Sequence, residues 1–288
     1  MSTTNTLRLV VPDWQAGNKP QYFCGSMLLK AVAPMSDGQK EVVVPIKSVN
    51  ETTVTEQNGV VGQAAIKEGI EMTKAIIAEE KPERIITLGG NCIVSQAPFD
   101  YLHGLYGEKL GVIWFDAHPD ISNPSMFNHE HAMVLANLLK QGDPAVQQTV
   151  DHPFQPKDVL YVGLQPLLDA ETDKLNDLGV NFEVQTEGLL SPERIQKWLT
   201  DGGYTKVAIH WDLDVLNPKT FHSLYFNEPG IPMFDGSSCG RFELEDVTAS
   251  LKAIQGMADV VGFTVAEYLP WDAIRLHNAL AELKLFQD

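Results

Sequence analysis

The sequence is poor in cysteine, in clustered positive charge and in long apolar runs, and each shortage removes a class of protein. Its cysteines, Cys24, Cys92 and Cys239, are odd in number and not spaced as pairs, which argues against a disulfide framework and for free thiols in a reducing compartment. Lysine and arginine total 21 against 38 aspartates and glutamates, a formal net charge of −17 with no basic cluster. Nucleic acid and anionic membranes reward clustered cations, so neither is an expected partner. No segment approaches the roughly 18 apolar residues that suggest a membrane span. The N-terminal MSTTNTLRLVVPDW carries no basic region followed by an apolar core and a small-residue cleavage site, so the expected location is cytoplasmic. Most of the acidity serves solubility, yet its sign favours a cationic substrate.

What is present is a chain of 288 residues, 44% hydrophobic, large enough for one sizeable α/β core; it reads as a single domain over residues 1–288. Strands are expected at Leu7–Val11, Glu41–Ile46, Arg84–Leu88, Gly111–Phe115, Val159–Leu164, Val180–Val184, Val207–Trp211 and Val260–Val265, from short apolar and β-branched runs bounded by turn residues. Helices are expected at about Gly62–Glu80, Ser95–Tyr106, Ala132–Lys140, Ala170–Leu178, Pro192–Leu199, Asp246–Met257 and Trp271–Phe286. Pro20–Pro34 fits neither pattern, and Asn217–Gly240, rich in proline and glycine, reads as a long ordered loop. Strand and helix alternate at βαβ spacing, which predicts a mainly parallel sheet between two helical layers.

The chemistry concentrates where strands end. Val112, Ile113, Trp114 and Phe115 run into Asp116, His118 and Asp120, and in extended backbone every second side chain leaves the same face. Val207–Trp211 leads to Asp212 and Asp214, Val260–Val265 to Glu267, and Arg84–Leu88 through Gly89 and Gly90 to Asn91 and Cys92. Ligands of parallel α/β sheets bind at the carboxyl ends of the strands. Asp116, Asp120, Asp212 and Asp214 would bring four negative charges into one cleft, which two divalent cations would neutralise. Two ions bridged by carboxylates would activate a hydroxide between them at neutral pH.

Together, the Gly-Gly turn before Asn91 and Cys92, Asp116-Ala117-His118-Pro119-Asp120, His131, Asp212-Leu213-Asp214 with Pro218, and Glu267 resemble the arginase/agmatinase (ureohydrolase) family. The resemblance implies a three-layer αβα sandwich with about eight strands and two Mn²⁺ ions per chain. It implies hydrolysis of a guanidino C–N bond of a small cationic substrate such as arginine or agmatine, releasing urea through a metal-bridging hydroxide. By position, Asp116 and Asp212 would bridge both metals, His118 and Asp214 would complete one, and Asp120 would help hold the other. Glu267 would bind the guanidinium by charge-assisted hydrogen bonds, and Asp120 or His131 would relay a proton. A homo-oligomer, trimer or hexamer, is also implied.

The chain departs from the family pattern in places. Cys92 stands where the family's first-metal histidine is usual, which either makes a Cys-ligated site inclined to Zn²⁺ or Fe²⁺ or weakens that site. Asn91 and Asn217 stand where acids are common, and Ala132 where a glycine commonly follows the histidine. Ser122 and Asn123 are the polar candidates for gripping the rest of the substrate, together with Asn128 and His129. His210 and Trp211 read as packing residues. Two other readings compete: a catalytically impaired member that binds a cationic ligand or a partner protein, and a one-metal Zn²⁺ amide hydrolase.

Overall fold

The computed structural model describes residues 5–232, 238–283 and 285. Its centre is a seven-stranded, wholly parallel sheet with spatial order β2-β1-β5-β9-β8-β6-β7. The strands are β1 (Thr6–Val11), β2 (Lys40–Val43), β5 (Arg84–Gly89), β6 (Leu110–Phe115), β7 (Val159–Val162), β8 (Lys206–Asp212) and β9 (Asp259–Ala266). A separate hairpin pairs β3 (Glu56–Gln57) with β4 (Val60–Val61).

The apolar runs are continuous because both faces of the sheet are covered. Along β6, Leu110, Val112 and Trp114 join one core, with helices α2 (Gln63–Glu80), α3 (Gln96–Tyr106) and α4 (Val134–Leu138). Ile113 and Phe115 face the other core, with α1 (Gln21–Val32), α6 (Pro192–Gly202) and α7 (Leu244–Gln255). Helices α5 (Asp169–Leu178) and α8 (Trp271–Ala281) complete the α-helices of the described residues, and the sandwich has the three expected layers. Among the described residues no helix is long and apolar enough to cross a membrane.

Three segments differ from the sequence reading. Val180–Val184 is not a strand. Beside it the edge of β7 is served by one side chain: Gln185 Oε1 accepts from Gly163 N at 2.9 Å, and Gln185 Nε2 donates to Tyr161 O at 3.2 Å. An eighth backbone ladder would need those same groups. Pro20–Pro34 contains helix α1, whose last carbonyls are received by a buried guanidinium from β1. Arg8 Nη2 donates to Lys30 O and Ala33 O at 2.8 and 2.9 Å, and Nη1 to Pro34 O at 2.7 Å. Asn217–Gly240 is a loop with one 3-10 turn, Tyr225–Asn227, among its described residues; residues 233–237 of it lie outside them, as does Phe286, and α8 ends at Ala281.

Gly90 shows how closely the chain is folded where chemistry is expected. A Cβ there would lie 1.7 Å from the Asp13 carbonyl oxygen, so no larger residue fits without moving the turn that carries Cys92. Gly90→Ala is expected to destabilise the fold by about 3 kcal/mol or more; a chemical denaturation curve that superimposes on wild type would contradict this.

Candidate functional site

The four strands whose ends carry the candidate residues are neighbours, in the order β5-β9-β8-β6. Their carboxyl ends therefore deliver Cys92, Glu267, Asp212 with Asp214, and Asp116 with His118 and Asp120 to one place. Just past the end of β6 the Asp116 carboxylate receives two hydrogen bonds, Trp114 Nε1 to Oδ2 at 3.0 Å and His118 N to Oδ1 at 2.7 Å. Asp212 Oδ1 accepts from Asp214 N at 2.6 Å, and Asp214 Oδ1 from Ala117 N at 3.1 Å, tying the two acid-bearing turns together. The Cys92 thiol donates to Asp212 Oδ2 at 2.9 Å and lies 3.6 Å from Glu267 Oε1. Backbone strain gathers here too: Asp120 and Glu267 adopt φ of 47° and 65°, a region costly for side chains other than glycine. The Asp120 carbonyl meets the amides of Leu135 and Ala136 at 3.1 and 3.2 Å, and Glu267 N donates to Gly90 O at 2.7 Å.

The side chains fall into three overlapping groups, each with ligand atoms within 4.8 Å of one another: Asp116, His118 and Asp214; Cys92, Asp116, Asp120 and His210; and Cys92, Asp212 and Glu267. Asp116 and Cys92 each belong to two of them. His210, expected as a packing residue, is buried with its ring stacked on Trp114 and also falls in the second of these groups. It precedes Asp212 by two on the same strand face, and that alternation of His210, Asp212 and Asp214 was the available signal.

The electrostatics describe a site short of positive charge. Asp116, Asp120, Asp212, Asp214 and Glu267 are all buried, and among the described residues none of them forms an ion pair with a lysine or arginine; the pairs they make are with histidines. Burial and the Asp214 charge push the Asp116 carboxyl up to about 7. Burial and neighbouring aspartates hold Asp120 and Asp212 well above the ordinary range, and burial raises Glu267 to about 8. The Cys92 thiol is raised well above 9 by burial and by Asp120, Asp212 and Asp116. Burial works to lower His118, but Asp214, 2.8 Å from Nδ1, and Asp116 hold it well above 6.5; burial likewise raises Asp214, yet His118 brings it below 3.8. One imidazolium cannot neutralise so many buried carboxyl groups, and Asp120 Oδ2 and His210 Nε2 have no hydrogen-bond partner among the described residues. Divalent cations fit this donor set: they would replace the missing positive charge and occupy the unpartnered atoms.

The surrounding residues take definite places. Asn91 is matched by an acid of its own, its Nδ2 donating to Asp13 Oδ1 at 2.8 Å while its Oδ1 accepts from Ile93 N at 3.2 Å; an aspartate at 91 would face Asp13 with like charge. Asn217 Nδ2 donates to Glu243 Oε1 at 3.0 Å. His131 Nδ1 lies 3.2 Å from Ala16 O, so Nδ1 carries the proton and Nε2 is the acceptor. Burial lowers His131 to about 4, and His118 and Asp214 lie within its electrostatic reach. Asn123 is engaged by its own loop, Oδ1 accepting from Ser125 N and Ser125 Oγ at 2.9 and 2.7 Å. Ser122 is buried, with N donating to Ala132 O at 2.9 Å. Neither Ser122 nor Asn123 is hydrogen-bonded to the acid cluster among the described residues.

Glu130, next to His131, offers a pH test. Burial, then Asp143, raise its carboxyl to about 8 against a lowering by Asn137. The folded state therefore holds a proton that the unfolded chain releases near 4.5, and the stability this contributes is lost as pH rises from about 4.5 through 8. Glu130→Gln is expected to flatten that decline; parallel slopes for variant and wild type in urea midpoints across this window would contradict it.

A model of the family described as "Arginase family" matches residues 35–287. In sequence the chain is similar to the arginase of Entamoeba histolytica, 26% identical over 243 residues that cover 78% of each protein. In fold it resembles the crystal structure of Entamoeba histolytica arginase in complex with L-ornithine, with TM-score 0.76, 18% identity and 97% of each chain covered. It also resembles Bacillus caldovelox arginase, with TM-score 0.77 and 18% identity over 93% of this chain and 92% of that one.

Proposed function

This chain belongs to the arginase family, and on that ground we propose that it is a dimetal hydrolase cleaving the guanidino C–N bond of a small cationic substrate such as arginine or agmatine. The observation that carries the reading is the convergence of acids from three adjacent strand ends on Cys92, with Asp116 common to two ligand groups. Asp116, His118, Asp214 and Asp212 would hold one Mn²⁺-class ion. Cys92, Asp120 and the shared carboxylates would hold the other. When bound, the metals supply a water acidified enough to act as a nucleophile near neutral pH.

The rest falls to the chain's own groups. Glu267, buried beside Cys92 and not paired with a lysine or arginine among the described residues, receives the guanidinium; a bound cation restores its ionised form and orients the planar group by charge-assisted hydrogen bonds. Water adds to the guanidinium carbon, the bond to the alkyl nitrogen breaks, and urea and a protonated amine leave. The amine needs a proton, and the water gives one up. His131, neutral with Nε2 as acceptor, and Asp120 are the groups we assign to that transfer. The net charge of −17 draws a cation toward the site.

The test is urea or ammonia release by Mn²⁺-loaded protein from arginine, agmatine, guanidinobutyrate, formiminoglutamate and guanidine. Turnover of one or more is expected; no product from any of the five sinks the activity as stated.

A further inference from the structure

His210 belongs to β8 and is completely buried. Its ring is stacked on Trp114, with centroids 3.8 Å apart and planes 11° from parallel, and Ser95 Oγ lies 2.7 Å from Nδ1. The other nitrogen, Nε2, has no hydrogen-bond partner among the described residues; Asp116 Oδ2 at 3.8 Å is too far. A ring nitrogen of His210 nevertheless lies within 4.8 Å of ligand atoms of Cys92, Asp116 and Asp120, and Nε2 is the one that Ser95 does not engage.

Neither tautomer satisfies this arrangement. With the proton on Nε2, a buried donor points at no acceptor within reach. With the proton on Nδ1 and donated to Ser95, a bare lone pair faces two carboxylates and a sulfur, all electron-rich. Each arrangement leaves a buried polar atom at a cost of about 1–3 kcal/mol. Asp120 Oδ2, in the same group, is also unpartnered. A cation at the centre would resolve both: the imidazole would coordinate it through Nε2, with Ser95 fixing the tautomer from behind and Trp114 fixing the ring plane. A hydrogen-bonded far nitrogen is how metal-bound histidines are generally oriented.

We propose that His210 is a ligand of the first metal, so that Cys92, His210, Asp116 and Asp120 together hold one divalent ion of borderline softness, of the Zn²⁺, Co²⁺ or Fe²⁺ kind. A thiolate with an imidazole is a softer pair than oxygen donors alone, and such sets favour these ions over Mn²⁺. The assignment rests on the dimetal reading above. It gives the position a role that packing alone does not, because an apolar ring would stack on Trp114 without burying an unsatisfied nitrogen.

The experiment is titration of the full-length metal-free chain with Co²⁺, followed by calorimetry and by visible absorption of the bound ion. Wild type is expected to take two equivalents, with a thiolate-to-cobalt charge-transfer band accompanying one. His210→Phe preserves the aromatic stack; it is expected to keep one tight equivalent and to weaken the one that carries the charge-transfer band about a hundredfold or more. Ser95→Ala, which leaves every ligand in place, is expected to weaken the same equivalent about tenfold with the final count unchanged. Two equivalents of unchanged affinity in His210→Phe overturn the assignment. If that variant does not fold, unchanged affinity in Ser95→Ala overturns it. A wild-type chain that binds fewer than two equivalents overturns the dimetal reading itself, an outcome distinct from failure at His210.

Discussion

An Asp116→Asn variant is expected to lose tight binding of both metals and, metal-free, to melt at a higher temperature than the metal-free wild type. Asp116 is shared by the group containing His118 and Asp214 and the group containing Cys92, Asp120 and His210, so its removal reaches both positions. Urea release should fall by about 10³-fold or more, since several kcal/mol of metal-derived stabilisation is lost. The stability change has the opposite sign. At pH 8, above the value of about 7 to which burial and Asp214 raise it, Asp116 is ionised in a cleft crowded with like charge. A neutral amide removes that repulsion and forfeits one of the two accepted hydrogen bonds. A residue that merely packed would not improve the metal-free protein while abolishing metal binding. The check is metal content by mass spectrometry, with melting curves recorded in chelator. Retained metal, or a lower melting temperature without it, contradicts the shared-ligand role.

Glu267→Gln is expected to lower kcat/KM about hundredfold while both metals stay bound. Its carboxylate is buried beside Cys92 and is assigned to the substrate's cation; replacing a buried charge-assisted pair by a neutral one costs about 3 kcal/mol. The φ of 65° at Glu267 is maintained in the variant, so the amide should occupy the same place. Loss of one metal, rather than of substrate affinity and turnover, would move Glu267 from the substrate to the ligand set through its contact with Cys92.

The parts of the molecule legible in the sequence are those whose causes are local. Val112 to Phe115 are buried on both faces and read as a continuous apolar run; the acids follow at once because the strand ends where the sheet's ligand edge begins. Other features have distant causes. Helix α1 ends where it does because Arg8, from another strand, receives its carbonyls. Val180–Val184 has the alternation of a strand, but the Gln185 side chain occupies the neighbouring edge groups. Asn91 stands where an acid is common because its partner, Asp13, comes from a distant segment and is itself the acid. His210 packs as its neighbour Trp211 suggests, buried and stacked on Trp114, whereas the residues on which its proposed further role rests, Ser95, Trp114 and Cys92, come from two other strand ends. Asn123, chosen for polarity and position, closes its own turn. Polarity alone does not reveal whether a side chain serves its loop or a ligand.

The central claim is that these strand ends build a two-metal centre. Its most direct test is the number of divalent ions that wild-type protein binds tightly per chain after removal of metal and reconstitution, measured by mass spectrometry on protein freed of excess ion. Two per chain, falling to none in Asp116→Asn, is the result the account predicts. A chain that binds none, or whose bound metal is indifferent to Asp116, would contradict it.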